Sequence, residues 1–451
     1  MKQLKQLWSN LRGSFWFLPT LILAGSLILA VGLIEVDTTG SKQWAGRWPR
    51  VFGAGAAGAR GMLSTIAGSM MTVVGVTFSM TLVTLALASS QYTSRILRNF
   101  MRDRVTQIVL GTFAGVFTYC VIVLRTIRGG DEGAFVPNLA VSVGAVLAIA
   151  GIGVLIFFIH HIASTIQASN IIASVADETL LTVDRLFPGK LGEGLEDDGK
   201  DQASLPPADR HWQAVPSCKN GYILSVDNAA FLRLAREHQT IVRMEQSIGD
   251  FVVQDTPLAS LALDGPPDGE LIAELQAAYS IKRYRTVEQD AGFGIRQLVD
   301  IALRSLSSGV NDTTTAVMCV DYLTAILSRL ATRDIPSSLR SEEGELQVIT
   351  IGPTFASLVA DSFDQIRESA KGNVAIMLRM LGALQTIASQ AASPTRRLVL
   401  REQAQRIAEL AGRTIACPHD RARVESGLAS SLAALDTEPC FATTPTRQSH
   451  D

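Results

Sequence analysis

The side chains best placed to do chemistry lie in residues 62–90, an uncharged stretch that is unusually rich in hydroxyl groups. At about 100° per residue, some of these hydroxyls share one face of a helix, and others form a second, neighbouring stripe. The first set is Thr65, Ser69, Thr72, Ser79 and Ser90, and the second set is Thr77, Thr81 and Thr84. Hydroxyls donate and accept hydrogen bonds without carrying charge. A face of this kind predicts either the wetted lining of a pore or close packing between membrane helices.

Residues 62–90 also exceed the about 20 apolar residues that a helix needs to cross a bilayer. Three more apolar runs, at residues 15–34, 105–124 and 135–158, predict that residues 1–162 form a domain of four transmembrane spans. No charged residue lies inside any of these predicted spans. Because ion-coupled transporters usually carry ionisable groups within the membrane, the pattern favours a passive pore or a structural bundle.

Four arginines, Arg95, Arg98, Arg102 and Arg104, follow the hydroxyl-rich span. Lys and Arg concentrate on the cytoplasmic side of membrane proteins, and this basic cluster lies on the same predicted side as the N-terminal flank. That side carries seven Lys and Arg residues near the span ends, against six on the opposite side. The count predicts cytoplasmic N- and C-termini. The alternative role of the cluster is a vestibule that attracts anions, or a site for anionic lipid.

The chain from residue 163 onward has the composition of a soluble protein. Residues 163–188 keep a helical period and predict a helix that leaves the membrane without a break. Residues 189–211 are polar and acidic and contain Gly and Pro, which predicts a linker. Residues 267–436 predict a helical domain punctuated by Pro and Gly, and residues 437–451 predict a disordered tail.

Residues 212–266 carry short β-like runs separated by turn signals. Their order resembles the small barrel of biotinyl and lipoyl carrier domains, but Met244 and Glu245 stand where the modifiable lysine would be. The resemblance implies at most a fold and no swinging-arm cofactor. The predicted fold class is therefore an α-helical integral membrane protein with four transmembrane helices and a cytosolic α+β region. That region combines a small β-barrel-like module with a helical bundle.

The composition narrows the classes of function. The net charge is −2, which argues against nucleic acid as a partner. The five cysteines include no CxxC pair, which predicts reduced thiols on a cytosolic region and no disulfide framework. The sequence contains no GxSxG, HExxH or P-loop pattern. We therefore expect no enzymatic activity, no cofactor and no metal site.

A further group of polar residues flanks a predicted amphipathic helix. Asp290 precedes this helix, and Asn311 and Asp312 follow it, just before the next one. Helix capping and surface ion pairing are sufficient to explain residues of these types at these positions. The sharper hypothesis is that Asp290, Asn311 and Asp312 meet at a site for a ligand or a cation, because such oxygen ligands suit Mg²⁺ or Ca²⁺. Their spacing is not that of an EF-hand.

Three stretches, in this order, together resemble one family. They are TVVGVTFSMTLVTLALASSQYTSRILRNFMRDR, then GYILSVD with IGDFVVQDTPL, then EQDAGFGIRQLVDIALRSLSSGVNDTTTAVMCVDYL. Over most of its length the chain is similar to the predicted membrane proteins grouped as domain-of-unknown-function family 2254. The resemblance implies a bacterial inner-membrane protein with a cytosolic C-terminal region. Ser308 and Thr313 stand where the family tends to have prolines, which implies a more flexible turn here.

Two hypotheses follow. In the preferred one, the protein is an oligomeric inner-membrane protein whose second span lines a passive channel or gated pore, regulated by the cytosolic region. In the alternative, the spans anchor a sensor or scaffold whose cytosolic region binds a small ligand, an ion or a partner. Both hypotheses include membrane lipid and further copies of the chain as partners. The hydroxyl stripe without ionisable groups motivates the first.

Overall fold

The structure is a computed structural model, in which the chain divides into two compact units, Met1–Asn170 and Ile171–Asp451. The described residues are 16–40, 55–91, 103–128, 135–165, 167–187, 211–335, 339–342 and 345–437. Three arginines of the basic cluster lie outside these residues, as do nearly all of the predicted linker and tail. The predictions made for those segments therefore stay predictions.

The first unit contains four long helices. They are α1 (Phe17–Gly40), α2 (Ala56–Gln91), α3 (Arg104–Thr126) and α4 (Asn138–Thr165). Each has a stretch long and apolar enough to cross a membrane, judged by length and composition. Within the described residues, one helix of the second unit, Thr313–Ala331, also meets this criterion. The count of four spans therefore stays a prediction.

α3 is the centre of the first unit, because it packs against α1, α2 and α4. Half of its most apolar window is buried, against 17% or less for the other three helices. Phe113 and Tyr119 are fully buried in the core around it. Gly111 and Gly115 face α1, where a carbon added at Gly111 would lie 2.8 Å from the Ile22 side chain. These glycines therefore allow α1 and α3 to approach closely, as small residues do in membrane bundles.

The helices of the first unit extend beyond the predicted spans. α1 continues to Gly40 and takes Glu35 and Asp37, which lie beyond the predicted span of residues 15–34, into the helix. α2 begins at Ala56, six residues before the predicted span of residues 62–90. The predicted spans therefore mark the apolar part of each helix, since hydropathy reports the membrane-crossing segment and not the hydrogen-bonded ends.

The prediction of an unbroken helix after the fourth span is wrong. α4 ends at Thr165, and a separate helix, α5 (Ala168–Leu186), follows. The last turn of α4 has local competitors for its backbone, because the hydroxyls of Ser164 and Thr165 donate to the carbonyl of His161. The side-chain amide of Asn170 donates to the carbonyl of Ser164 at 2.6 Å. Side-chain bonds of this kind end helices that hydrophobic periodicity alone would continue.

The second unit continues with short strands and helices. They are β1 (Trp212–Pro216), β2 (Gly221–Val226), α6 (Asn228–Glu237), β3 (Val242–Met244), β4 (Phe251–Val252), β5 (Pro257–Ala262), α7 (Gly269–Ala278) and β6 (Tyr279–Lys282). β4, β2 and β6 form one antiparallel sheet, whereas β1, β5 and β3 belong to a second sheet. The described strands thus form two open sheets, and the predicted barrel-like closure is not observed among them.

The larger sheet gains two strands from much later in the chain. They are β7 (Leu339–Glu342) and β8 (Glu345–Ile349), and the strand order is β1-β5-β3-β8-β7. β8 runs parallel to β3, with Val242 opposite Val348. The β-rich part is therefore not confined to residues 212–266. Parallel pairing needs a long crossover, and the sequence between β3 and β8 supplies it.

Six helices complete the second unit. They are α8 (Ala291–Ser305), α9 (Thr313–Ala331), α10 (Phe355–Ser369), α11 (Val374–Ala388), α12 (Pro394–Thr414) and α13 (Pro418–Asp436). α8 packs on α9 and α10, and α11 packs on α9, α12 and α13. Side chains of Asp290, Asp312, Thr354 and Asn373 accept hydrogen bonds from first-turn N–H groups and fix where four of these helices begin.

Candidate functional site

The two hydroxyl sets of α2 differ in burial. One set packs against the rest of the first unit and consists of Thr77, Thr81 and Thr84. The other is exposed and includes Thr65, Ser69, Thr72 and Ser79. The side chain of Ser90, the remaining member of the exposed set by sequence, lies outside the described residues. Since Thr77 is 1% exposed and Thr84 is 5% exposed, these two cannot line a pore on the same face as the first set.

Most of the threonine hydroxyls bond within α2 itself. The Thr65 hydroxyl donates to the carbonyl of Gly61 at 2.8 Å, and the Thr72 hydroxyl donates to that of Gly68 at 3.0 Å. The Thr77 hydroxyl is the exception, because it is buried with no partner among the described residues. The exposed threonines thus have satisfied donors and still present acceptor lone pairs to whatever covers this face.

Small residues alternate with the exposed hydroxyls in a regular pattern. Gly61, Thr65, Gly68, Thr72, Gly75 and Ser79 follow one another at alternating spacings of four and three, and these six residues are named the α2 seam. All six are exposed. A side-chain carbon added at any of the three glycines would meet no atom within 4 Å. The described part of the chain therefore leaves this side of α2 uncovered.

A buried carboxylate joins α1 to α4 at one end of the first unit. Asp37 is 4% exposed. Its carboxylate accepts the backbone N–H groups of Leu139 at 3.3 Å and Ala140 at 3.0 Å. Asp37 on α1 thereby satisfies the first turn of α4, where a negative charge is favoured.

A second carboxylate joins the start of α3 to the last turns of α4. Asp103 accepts the N–H groups of Val105 and Thr106, and its Oδ2 lies 3.0 Å from Nε2 of His161. Burial raises the pKa of Asp103, but hydrogen bonds from Thr106, His161 and Val105 outweigh it and hold the pKa below its usual range. Arg104, the one member of the basic cluster that is described, is exposed beside this pair.

The second unit contains a cleft of about 740 Å³. Four helices begin at it, namely α6, α8, α10 and α12. Its apolar wall includes Phe187, Met244, Ile248, Ile351, Phe355 and Val399. Its charged groups are Asp250, Arg285, Asp290, Asp361 and Arg396. Binding sites for small molecules combine these properties, since they have about 300–1,000 Å³, apolar walls and a few convergent polar groups.

One side of the cleft is organised around the ion pair of Arg285 and Asp290. Nε and Nη2 of Arg285 lie 2.9 and 2.6 Å from the same oxygen of Asp290, and the guanidinium lies over the Phe293 ring. The other oxygen of Asp290 accepts the N–H of Phe293 and caps α8. Gly249 closes over the pair with a φ of +95°, and a Cβ there would lie 2.5 Å from Nη2 of Arg285. Only glycine fits this approach without strain.

The acidic groups on this side differ from ordinary surface carboxylates. Burial raises the pKa of Asp290 above its usual value, although Arg285 opposes the shift. Burial also raises the pKa of Asp361, against the attraction of Arg296 and Arg285. Asp250 adds to this negative side, and one of its oxygens accepts the N–H of Ser247 at 2.7 Å.

The other side of the cleft is formed by the first turn of α12. Ser393 is the N-cap residue of α12 but makes no capping hydrogen bond with its side chain. Thr395 and Arg396 follow it on the cleft wall. Arg396 donates to the carbonyls of Leu330 and Ala331, and its guanidinium lies 5.3 Å from the Phe355 ring centroid. The lining residues that α12 supplies include no carboxylate.

The predicted meeting of Asp290, Asn311 and Asp312 is wrong. Asp290 caps the start of α8, whereas Asn311 and Asp312 follow its end, and fifteen helical residues separate these ends by about 22 Å. Asp312 caps α9 by accepting the N–H and the hydroxyl of Thr315. These hydrogen bonds lower the pKa of Asp312 below its usual value. Asn311 has a φ of +49° in the turn between the helices, and of the three only Asp290 lines the cleft.

Sequence reasoning missed most of the cleft. Arg285, Asp361, Ser393 and Arg396 come from four separate segments, and no local spacing signals that they converge. The available signals were the glycine-aspartate turn at Gly249 and the proline that begins α12. Within the described residues, no group of three or more His, Cys, Asp and Glu side chains is arranged to hold a metal ion.

The apolar helices of the first unit and the α+β second unit define the class of this molecule as a multi-pass membrane protein with a large α+β region. Comparison with known families agrees with this class and identifies the family. Residues 12–386 match the family described as predicted membrane protein (DUF2254), and the chain belongs to this family. The resemblance to domain-of-unknown-function family 2254 is thus confirmed.

Mycobacterial relatives extend the similarity to nearly the whole chain. An uncharacterised protein of Mycobacterium tuberculosis (strain ATCC 25618 / H37Rv) is 32% identical over 453 aligned residues, covering 98% of this chain and 84% of the relative. An uncharacterised protein of Mycobacterium bovis has the same identity and coverage. A relative from another M. tuberculosis strain, CDC 1551 / Oshkosh, is 31% identical. No solved structure matches the chain.

Proposed function

We propose that this protein is a homo-oligomeric protein of the bacterial inner membrane with a passive conducting role. In this proposal, copies of α2 surround an axis, and the exposed hydroxyls of the α2 seam with Ser69 line it. The second unit lies in the cytoplasm and regulates the pore, and both termini are cytoplasmic. The observation that carries the proposal is the exposure of this hydroxyl face, which no described part of the same chain covers.

The small and polar residues exposed on α2 support oligomerisation. The face that packs within the chain contains Leu63, Ala67 and Met70 together with Thr77, Thr81 and Thr84. The exposed face carries glycines and further hydroxyls, and lipid tails offer hydroxyls no hydrogen-bond partner. Other copies of the same face offer both close approach and partners. The expected partners are therefore further copies of the chain, with lipid around them.

The chemistry of the face favours passive conduction over coupled transport. The α2 seam contains no ionisable residue. The buried carboxylate of Asp37 caps α4, and Asp103 caps α3. Both carboxylates therefore stabilise helix ends. Ion-coupled transporters place such groups along the pathway instead. Hydroxyl-lined pores of neutral charge select by diameter and by hydrogen bonding.

The proposal is tested by ion flux through the purified full-length protein in liposomes. The variant T72L/S79L replaces two hydroxyls of the exposed face with bulky apolar groups, and the expected result is loss of flux with unchanged oligomer size. The control M71L/F78L changes the residues immediately before them, which are exposed but lie outside the seam. Equal flux in T72L/S79L and the wild type, at equal protein content, contradicts the proposal.

A second candidate function rests on the cleft of the second unit. Here the spans anchor and oligomerise the chain, and a ligand in the cleft carries the activity as a sensor or scaffold. The convergence of apolar and charged groups in about 740 Å³ favours it. The two functions are separable, since a pure sensor shows no flux under any applied voltage or ligand, whereas the pore shows flux that T72L/S79L removes.

A further inference from the structure

The cleft of the second unit has an unequal distribution of charge. The start of α8 gathers Asp250, Asp290 and Asp361. Arg285 bonds to Asp290, and Arg296 and Arg285 both attract Asp361. The start of α12 brings Arg396 together with the hydroxyl groups of Ser393 and Thr395. A ligand that matches this cleft has hydrogen-bond donors at one end and an anionic group at the other.

Distances along α10 give the separation of the two ends. Arg396 lies over Phe355, the first residue of α10, whereas Asp361 is six residues further along the same helix. At 1.5 Å per residue, these positions are about 9 Å apart along the helix axis. The wall between them is apolar and includes Phe355 and Leu358. The middle of the ligand is therefore flat or apolar, and the polar groups are at its ends.

The anionic end has further support from the helix geometry. α10 and α12 both direct their N-terminal turns to the cleft, and the partial positive charge there favours anions. α10 has its capping box between Thr354 and Ser357, but the Ser393 side chain at the start of α12 is not used for capping. Together with Arg396, this hydroxyl provides charge-assisted contacts for a phosphate group.

We propose that the cleft binds a small phosphorylated molecule of the nucleoside monophosphate class. The phosphate lies against Ser393, Thr395 and Arg396, the ring system packs on the apolar wall, and hydroxyl or amino groups donate to Asp361. A molecule of this class has a size that suits the cleft of about 740 Å³. The proposal stands apart from the pore, since it requires neither oligomerisation nor conduction.

The test measures binding of adenosine 5′-monophosphate (AMP) to the full-length protein in detergent by isothermal titration calorimetry, with adenosine and inorganic phosphate as reference probes. The expected result is that AMP binds at least tenfold more tightly than adenosine, and that inorganic phosphate competes with it. S393D places a negative charge at the phosphate position and should weaken AMP binding at least tenfold, while binding of adenosine stays unchanged. Aspartate is a favourable N-cap residue, so this variant should remain folded.

Cys417→Asp is the matched control. Cys417 is the N-cap residue of α13, makes no capping bond with its side chain, is followed by proline as Ser393 is, and does not line the cleft. C417D should bind AMP with unchanged affinity. The proposal is overturned if AMP does not bind, if AMP and adenosine bind equally, or if S393D binds AMP as the wild type does. Equal weakening by S393D and C417D also overturns it.

Discussion

Gly249→Ala tests the close backbone approach at the Arg285–Asp290 pair. Its φ of +95° costs an alanine about 1–3 kcal/mol. The new Cβ would also lie 2.5 Å from Nη2 of Arg285 and 2.7 Å from Oδ2 of Asp290, so the pair must shift. Since removal of one partner of a buried pair costs about 3–5 kcal/mol, a partial displacement costs about 1 kcal/mol. The free energy of unfolding of the second unit should therefore fall by about 2–4 kcal/mol.

Trp212 provides the assay, because it is the only tryptophan of the second unit. Phe substitutions at the other four tryptophans make its fluorescence report on this unit alone during urea unfolding of the full-length protein in detergent. The Arg243 guanidinium lies 4.1 Å from the Trp212 ring, so unfolding changes its environment. The difference in midpoint, multiplied by the slope, gives the change in free energy.

Gly265→Ala is the matched control, since an added Cβ there meets no atom within 4 Å. We expect it to change the free energy of unfolding by less than about 0.5 kcal/mol. A Gly249→Ala midpoint as high as that of Gly265→Ala would refute the argument that the backbone closes on the ion pair. If Gly249→Ala lowers the midpoint and adding Arg285→Ala to that variant partly restores it, the new Cβ clashes with the Arg285 guanidinium.

Three further substitutions test other parts of the fold. Asp37→Ala should lower the free energy of unfolding by about 1–3 kcal/mol, as measured by thermal unfolding, because it leaves two N–H groups of α4 without an acceptor. Asp37→Asn keeps an acceptor oxygen and should retain most of this free energy. Thr77→Val removes a buried, unpartnered hydroxyl and should raise the melting temperature in detergent, whereas Thr72→Val should leave it unchanged. Asp312→Ala should cost about 1 kcal/mol at pH 7. Because the pKa of Asp312 is lowered on folding, its contribution is present above the ordinary value of 3.8 and is lost as the pH falls through the folded pKa. The difference from wild type in urea unfolding should therefore shrink in acid.

Much of the first unit was predictable because a helix that crosses a bilayer needs about 20 apolar residues in succession. The hydropathy of residues 62–90 locates α2 correctly. It does not identify the helix that the others pack against, since α3 carries ordinary apolar residues and is central through its packing against α1, α2 and α4. Nor could it assign Asp37, because the bond from Asp37 to Ala140 joins positions about a hundred residues apart.

The second unit was less predictable because its order depends on pairing between distant segments. Glu345–Ile349 forms β8, but its parallel partner β3 lies about a hundred residues earlier. The segment that begins at Tyr279 directly follows α7 and forms β6, because β2 offers an antiparallel partner. The cleft depends on the same long-range pairing, since β3 and the loop after β8 both contribute to its wall. Local propensity cannot specify such contacts.

The length of α2 has a mechanical consequence. Its 36 residues form a rod of about 54 Å, whereas the hydrocarbon core of a bilayer is about 30 Å thick. Its uncharged run, residues 62–90, alone covers about 42 Å, so it exceeds the thickness of the core. A thinner bilayer makes such a rod tilt. Tilting moves the protruding end of α2 sideways in the plane of the membrane. A change in bilayer thickness therefore displaces this end of the helix laterally.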